Sequence, residues 1–172
     1  NLVVTGYHEA QLSGGSSSSR GLAGRDVFVA TVSPQGTPGW VKTLVGAAAD
    51  QANAVATDDY GHLYITGTFR DFLFVNGNQL QAVGGLDVFV VQYDLQGNLN
   101  WARVMGSPGG DQGTAIAVDH AQNLVAGGWV SGSLEIFQGP AFRGSQEEDA
   151  FAVKLDSNGA IIRGQVIANT YH

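Results

Sequence analysis

The chain has no cysteine, one methionine, four prolines and only eight lysines and arginines among 172 residues. Without cysteine there is no disulfide, no thiolate metal site and no cysteine nucleophile, and the redox compartment stays unspecified. Fifteen acidic residues against those eight cations leave a net charge of −7. Nucleic-acid phosphates demand clustered lysine and arginine, so no nucleic acid is expected as a partner, and an anionic membrane surface is disfavoured on the same ground. No apolar run approaches ~18 residues, so no membrane insertion is expected. The opening at Asn1, already inside an apolar run and with no initiator methionine, reads as an excerpt or a processed product.

What the chain does have is a repeat. Gly6, Gly67 and Gly128 recur at 61-residue intervals, as do Leu2, Leu63 and Leu124. Asp-Val-Phe-Val stands at 26–29 and 87–90, and returns one residue late as Asp149-Ala-Phe-Ala. Trp40 answers Trp101, Asp50 answers Asp111, and Asp58 answers Asp119. A fixed period of this length marks supersecondary units that cover their apolar faces only by stacking on neighbours.

One unit contains four short β-branched or aromatic runs with turns between them, for example 54–57, 62–69, 87–93 and 101–105. No helical period is present, so each unit reads as an antiparallel four-stranded meander. Asp94-x-x-Gly97 and Asp156-x-x-Gly159 have the chemistry of a type I turn closed by a left-handed glycine. Ser33-x-x-Gly36 is the same turn with serine. The further carboxylates of a calcium loop are missing. The expected fold is all-β, a β-propeller-type array of about three four-stranded blades. Residues 1–49 would form a partial blade of three strands with a Ser/Gly insert. Residues 50–110 form a full blade, and 111–172 a full blade divergent at its last strand, where Arg163 replaces the tryptophan. The inserts at 70–86 and 131–148 are expected to fold back onto their own blades as small hairpins. The serine run at 16–19 reads as a flexible spacer.

The order Asp87-Val88-Phe89-Val90, Asp94-x-x-Gly97, Trp101, Asp111-Gln112, Ala115 to Asp119, Asn123-Leu124-Val125 and Gly128 resembles the bacterial β-propeller repeat called the SBBP repeat, over essentially the whole chain. The Gly97-to-Trp101 spacing is similar to that of the docking tryptophans of quinoprotein-type propellers. The resemblance implies secreted or cell-surface bacterial proteins whose repeats serve as scaffold or interaction modules, with no general catalytic residues and no cofactor.

Chemistry has little support in the residues themselves. No HExxH, GxSxG, P-loop or GxGxxG is present. The four histidines fall in four different repeat slots; His62 and His120 read as solvated turn residues, and no metal site is expected. Asp26, Asp87, Asp149, Asp50, Asp111, Asp58 and Asp119 recur with the repeat, as do Gly36, Gly97, Gly159, Trp40 and Trp101, so a structural role is assigned to all of them. Trp129 lacks an aromatic counterpart and, with Phe142, is the candidate ligand contact.

Propellers close with roughly four to eight blades. Three units would leave two apolar flanks open, so the chain is expected to be a sector of a larger propeller or to assemble with further copies. The functional expectation is a non-enzymatic surface module whose partners are further blades of the same protein or of other copies, and other surface proteins. A lectin-like glycan-binding propeller and a filament or surface-layer subunit remain as alternatives.

Overall fold

A computed structural model describes residues 2–9, 11–14, 17–19, 24–136, 139–145 and 147–167, and its regular structure is antiparallel β. In chain order the strands are β1 (Leu2–His8), β2 (Leu12–Gly14), β3 (Ser17–Ser19), β4 (Asp26–Val32), β5 (Pro38–Gly46), β6 (Gln51–Thr57), β7 (Leu63–Val75) and β8 (Asn78–Tyr93). They continue as β9 (Leu99–Gly106), β10 (Asp111–Val118), β11 (Leu124–Ser131), β12 (Leu134–Ile136), β13 (Ala141–Phe142), β14 (Glu148–Leu155) and β15 (Ile161–Ile167). β1, β4 and β5 make a three-stranded first blade; β6 to β9 make the second; β10, β11, β14 and β15 make the third.

Equivalent positions occupy equivalent environments. Gly6 pairs with Phe28, Gly67 with Phe89 and Gly128 with Phe151. The phenylalanine ring lies across its glycine, where a Cβ would meet ring carbon at 3.2, 2.8 and 3.0 Å respectively. At Gly67 and Gly128 the carbonyl of Gln51 or Gln112 also crosses the Cα, leaving no room for any side chain. Glycine and phenylalanine therefore recur together because each creates the requirement for the other.

Blade II is buried on both faces, which explains its continuous Val88-Phe89-Val90-Val91 run. Phe89, Val91 and Tyr93 pack against Val27, Val29 and Leu44 of blade I. Val88, Val90 and Tyr64 pack with Leu124, Ala126 and Val153 of blade III. Between blades the indoles dock. Trp40 Nε1 donates to the Leu95 carbonyl at 2.8 Å, and Trp101 Nε1 to the Ser157 carbonyl at 3.0 Å. Each ring lies under the left-handed glycine of the next blade's turn, Gly97 (φ 80°) or Gly159 (φ 76°). A side chain there would be strained by its φ and would also strike the indole. The turns are closed by Gly97 N–H to Asp94 O and Gly159 N–H to Asp156 O, both 3.0 Å. In each case the aspartate carboxylate accepts further backbone N–H groups.

The inserts do not fold back onto their own blades. The hairpin that extends β7 and β8 reaches the preceding blade, where Phe74 pairs with Val45 and Leu73 with Gly46 of β5. β12 does the same one repeat later, with Glu135 opposite Gly106 and Ile136 opposite Met105 of β9. The pairing is available because the ends of β5 and β9 offer an unpaired edge beyond their own blades. In the first insert, part of the serine run pairs as the short hairpin β2–β3; Ser16 lies outside the described residues, as do Phe137 and Gln138 of the third.

The two outer flanks differ, contrary to the expectation that both are apolar. Blade I presents Leu2 and Val4, 64% and 45% exposed, beside half-buried Phe28, Ala30 and Val32. On blade III the valines of the docking face have become exposed Ala150 and Ala152, and Lys154 and Arg163 stand where blade II has Gln92 and Trp101. Val125, Ile162 and Ile167 remain on blade III as exposed apolar residues.

Two stability outcomes follow from these contacts. Trp101→Phe keeps a ring but loses one hydrogen bond, and is expected to cost about 1 kcal/mol. Trp101→Ala also empties the inter-blade seam and is expected to cost about 2–4 kcal/mol. Urea unfolding of both variants separates docking by packing from docking by hydrogen bonding. Gln122 occupies the left-handed slot that glycine holds at Gly61 (φ 64° against 87°), and its Oε1 is buried without a partner. Gln122→Gly is expected to raise stability by about 0.5–1 kcal/mol in the same assay.

Candidate functional site

Strand direction sorts the polar residues onto two rims. One rim carries the inserts and the entries to β4, β6, β10 and β14. The other carries the turns 33–37, 58–62, 94–98, 119–123 and 156–160.

At the insert rim lie five buried aspartates, Asp26, Asp50, Asp87, Asp111 and Asp149. Each accepts N–H groups that strand pairing leaves over. Asp26 takes Gly46 N–H at 3.0 Å, and Asp50 takes Arg70 N–H at 3.1 Å. Asp87 takes those of Val83 and Gly84, and Asp111 that of Ser131 at 2.8 Å together with the Ser107 hydroxyl. Asp149 accepts the N–H and hydroxyl of Ser145. They are also close enough to repel one another, Asp26 with Asp50 and Asp87 with Asp111. Burial, opposed by the Arg70 N–H and reinforced by the Asp26 charge, pushes Asp50 up to about 7. Burial, with the Asp111 charge adding to it, pushes Asp87 up to about 6. One oxygen of each, Asp50 Oδ2 and Asp87 Oδ1, is buried with no hydrogen-bond partner. Among the described residues no group of three or more histidine, aspartate or glutamate side chains is placed to hold a metal ion.

The turn rim is less uniform. In blade III, Asp119 is held first by Lys154 Nζ at 2.6 Å and then by the Asn123 backbone and carboxamide, which together keep its carboxyl well below the usual range. In blade II the corresponding Asp58 bonds instead to His62 Nδ1 at 2.7 Å and to the Tyr64 hydroxyl at 3.1 Å. The Asp58 side chain is fully buried behind the histidine. Burial alone would raise its pKa, but the bonds from the His62 backbone and ring and from Tyr64 outweigh it and the carboxyl is held below its ordinary value. Tyr64 is pushed up to about 12, by burial first and by the Asp58 charge after it. His62 is thus an oriented, half-buried ring rather than a solvated turn residue. The signal for it was the Asp58-x-x-x-His62 spacing with Tyr64 two residues on, where the other copies have Asn123 and Val125, and Val3.

Beside His62 opens a cleft of about 460 Å³ between blades II and III, edged by Gln92, Leu99, Asn100, Trp101, Ser157 and Asn158. Trp129 and Phe142 engage other partners. The Trp129 indole donates to Gln112 Oε1 at 3.0 Å across the β10–β11 pair. Phe142 packs onto Gly164 and the core between blades II and III.

No protein-family model matches the chain. Over 105 residues, 57% of the chain, it is 28% identical to an uncharacterized WD repeat-containing protein of Acanthamoeba polyphaga mimivirus. The matched span is 8% of that relative's length. Blade geometry and this likeness agree. The repeats are of β-propeller type.

The raised aspartates set a pH dependence. An acid whose folded pKa exceeds its unfolded value of ~4 binds more protons when native, so stability falls as pH rises from about 4 through its folded value. The unfolding temperature is therefore expected to be higher at pH 5 than at pH 8. Asp50→Asn and Asp87→Asn should each flatten that slope, as thermal scans across this window would show. Asp58, Asp94 and Asp119 are shifted the other way, so their contribution is lost only at more acidic pH, outside the window.

Proposed function

We propose that the chain is a non-catalytic protein-interaction module whose blade I flank receives a further blade. The difference between the flanks carries this reading. The blade I flank keeps the residues that dock blade II onto blade I, with Leu2, Val4 and Phe28 in the slots of Leu63, Ile65 and Phe89. Around its turn glycine, Gly36 (φ 83°), the space a Cβ would take has no atom within 4 Å, where Gly97 and Gly159 each have an indole. That seat fits a tryptophan from the fourth strand of another blade. A second copy offers Arg163 instead, so open-ended head-to-tail stacking of identical chains is disfavoured. The likeness to a WD repeat-containing protein supports the interaction role, because propellers of repeated blades present extended surfaces to partners.

The repeat resemblance adds a setting, a secreted or cell-surface bacterial protein of the SBBP type, and surface labelling of the producing cells tests it. The docking reading has its own test in light scattering. Rebuilding the blade III flank as Arg163→Trp, Ala150→Val and Ala152→Val should drive head-to-tail association that the wild-type chain lacks. Val4→Glu on the opposite flank should abolish it. An engineered chain that folds and stays monomeric at high concentration would overturn the reading.

A further inference from the structure

The cleft beside His62 breaks the repeat at two positions, His62 where the other copies have Asn1 and Asn123, and Tyr64 where they have Val3 and Val125. Gln92 and Asn100 join them from slots that differ in every copy, Thr31 and Lys154 for the first, Gly39 and Ile162 for the second. They come from the 58–62 turn and three strands; His62, Gln92 and Asn100 edge one opening, and Tyr64 is buried. Asn100 Nδ2 donates to Gln92 Oε1 at 3.1 Å, and Gln92 Nε2 to the Ser157 carbonyl at 3.2 Å. Tyr64 and His62 both donate to Asp58 Oδ2.

The network fixes what the opening can recognise. The ionised Asp58 only accepts, so the proton of the neutral imidazole sits on Nδ1 and Nε2 keeps its lone pair. No bond from the protein reaches Nε2 among the described residues, and the ring edges the cleft. The remaining edge is carboxamide, hydroxyl, the Leu99 side chain and the indole of Trp101, with no lysine, arginine or free carboxylate. An anion would find no lysine or arginine on the edge of the cleft, and a cation would find Asp58 screened behind the ring. Alternating neutral donors and acceptors beside an indole suit ligand hydroxyl groups set around apolar C–H faces, and the volume suits a molecule of small-ligand size.

We infer that this cleft between blades II and III binds an uncharged saccharide, with His62 Nε2 accepting a hydrogen bond from a sugar hydroxyl. The site is separate from the blade I flank and stands or falls independently of the docking reading.

The test is an NMR titration of the ¹⁵N-labelled chain with maltose, cellobiose and diacetylchitobiose, using glucose 6-phosphate as the charged comparator. At least one neutral sugar is expected to shift the Trp101 indole and His62 ring resonances saturably. His62→Asn installs the residue that caps the matching turn at Asn123, so the fold should persist while affinity drops about tenfold, one lost hydrogen bond. Asn100→Ala, at an exposed position, provides a second variant expected to weaken binding. Free sugar and a glycan displayed on an array should compete for the same resonances. The proposal is overturned if none of the three sugars binds, or if the shifts centre on Trp129. Tighter binding of the phosphorylated sugar, or affinity unchanged in both variants, also overturns it.

Discussion

Everything in this structure hangs on an indole seated beneath a left-handed glycine of the next blade. Trp40 under Gly97 and Trp101 under Gly159 join packing, a hydrogen bond and a backbone conformation in one contact. The contact makes demands on both partners. The turn must supply a residue at positive φ with no Cβ, and the fourth strand must supply a flat ring with one donor. Once that seam is fixed, the valine and phenylalanine faces of adjacent blades meet in register, and each core cluster is shared by two blades rather than owned by one.

The buried aspartates solve the problem that this packing creates. Strands that start beside inserts leave N–H groups with no ladder partner, and a carboxylate can accept several at once. Repeating the solution in every blade brings like charges together, Asp26 with Asp50 and Asp87 with Asp111, at a cost carried by raised proton affinity. The same side chains that satisfy the backbone therefore make the array sensitive to pH.

Much of the fold was legible because the repeat supplies its own alignment. Gly6, Gly67 and Gly128 against Phe28, Phe89 and Phe151, and the turn glycines at 97 and 159, announce themselves by recurrence. Recurrence says nothing about partners across a seam, which is why the inserts were assigned to the wrong blade. Their strands pair with β5 and β9, and edge pairing depends on backbone position rather than side-chain pattern. His62 was missed for the opposite reason. It breaks the repeat, and its significance lies in Asp58 being buried behind it, which spacing alone does not reveal. Arg163 already marked the last strand of blade III as divergent, but that Ala150, Ala152 and Lys154 lie with it on one outer face follows only from the strand pairing.

The straps that cross from each insert to the blade before it give the array a direction. A newly made hairpin at 72–81 can be sewn at once onto β5, which precedes it in the chain, and β12 likewise onto β9. No blade has to wait for a later strap to be held in place by its predecessor. During synthesis from the N-terminus, each unit would thus emerge facing a finished template and lock to it, so the order of translation and the order of assembly coincide.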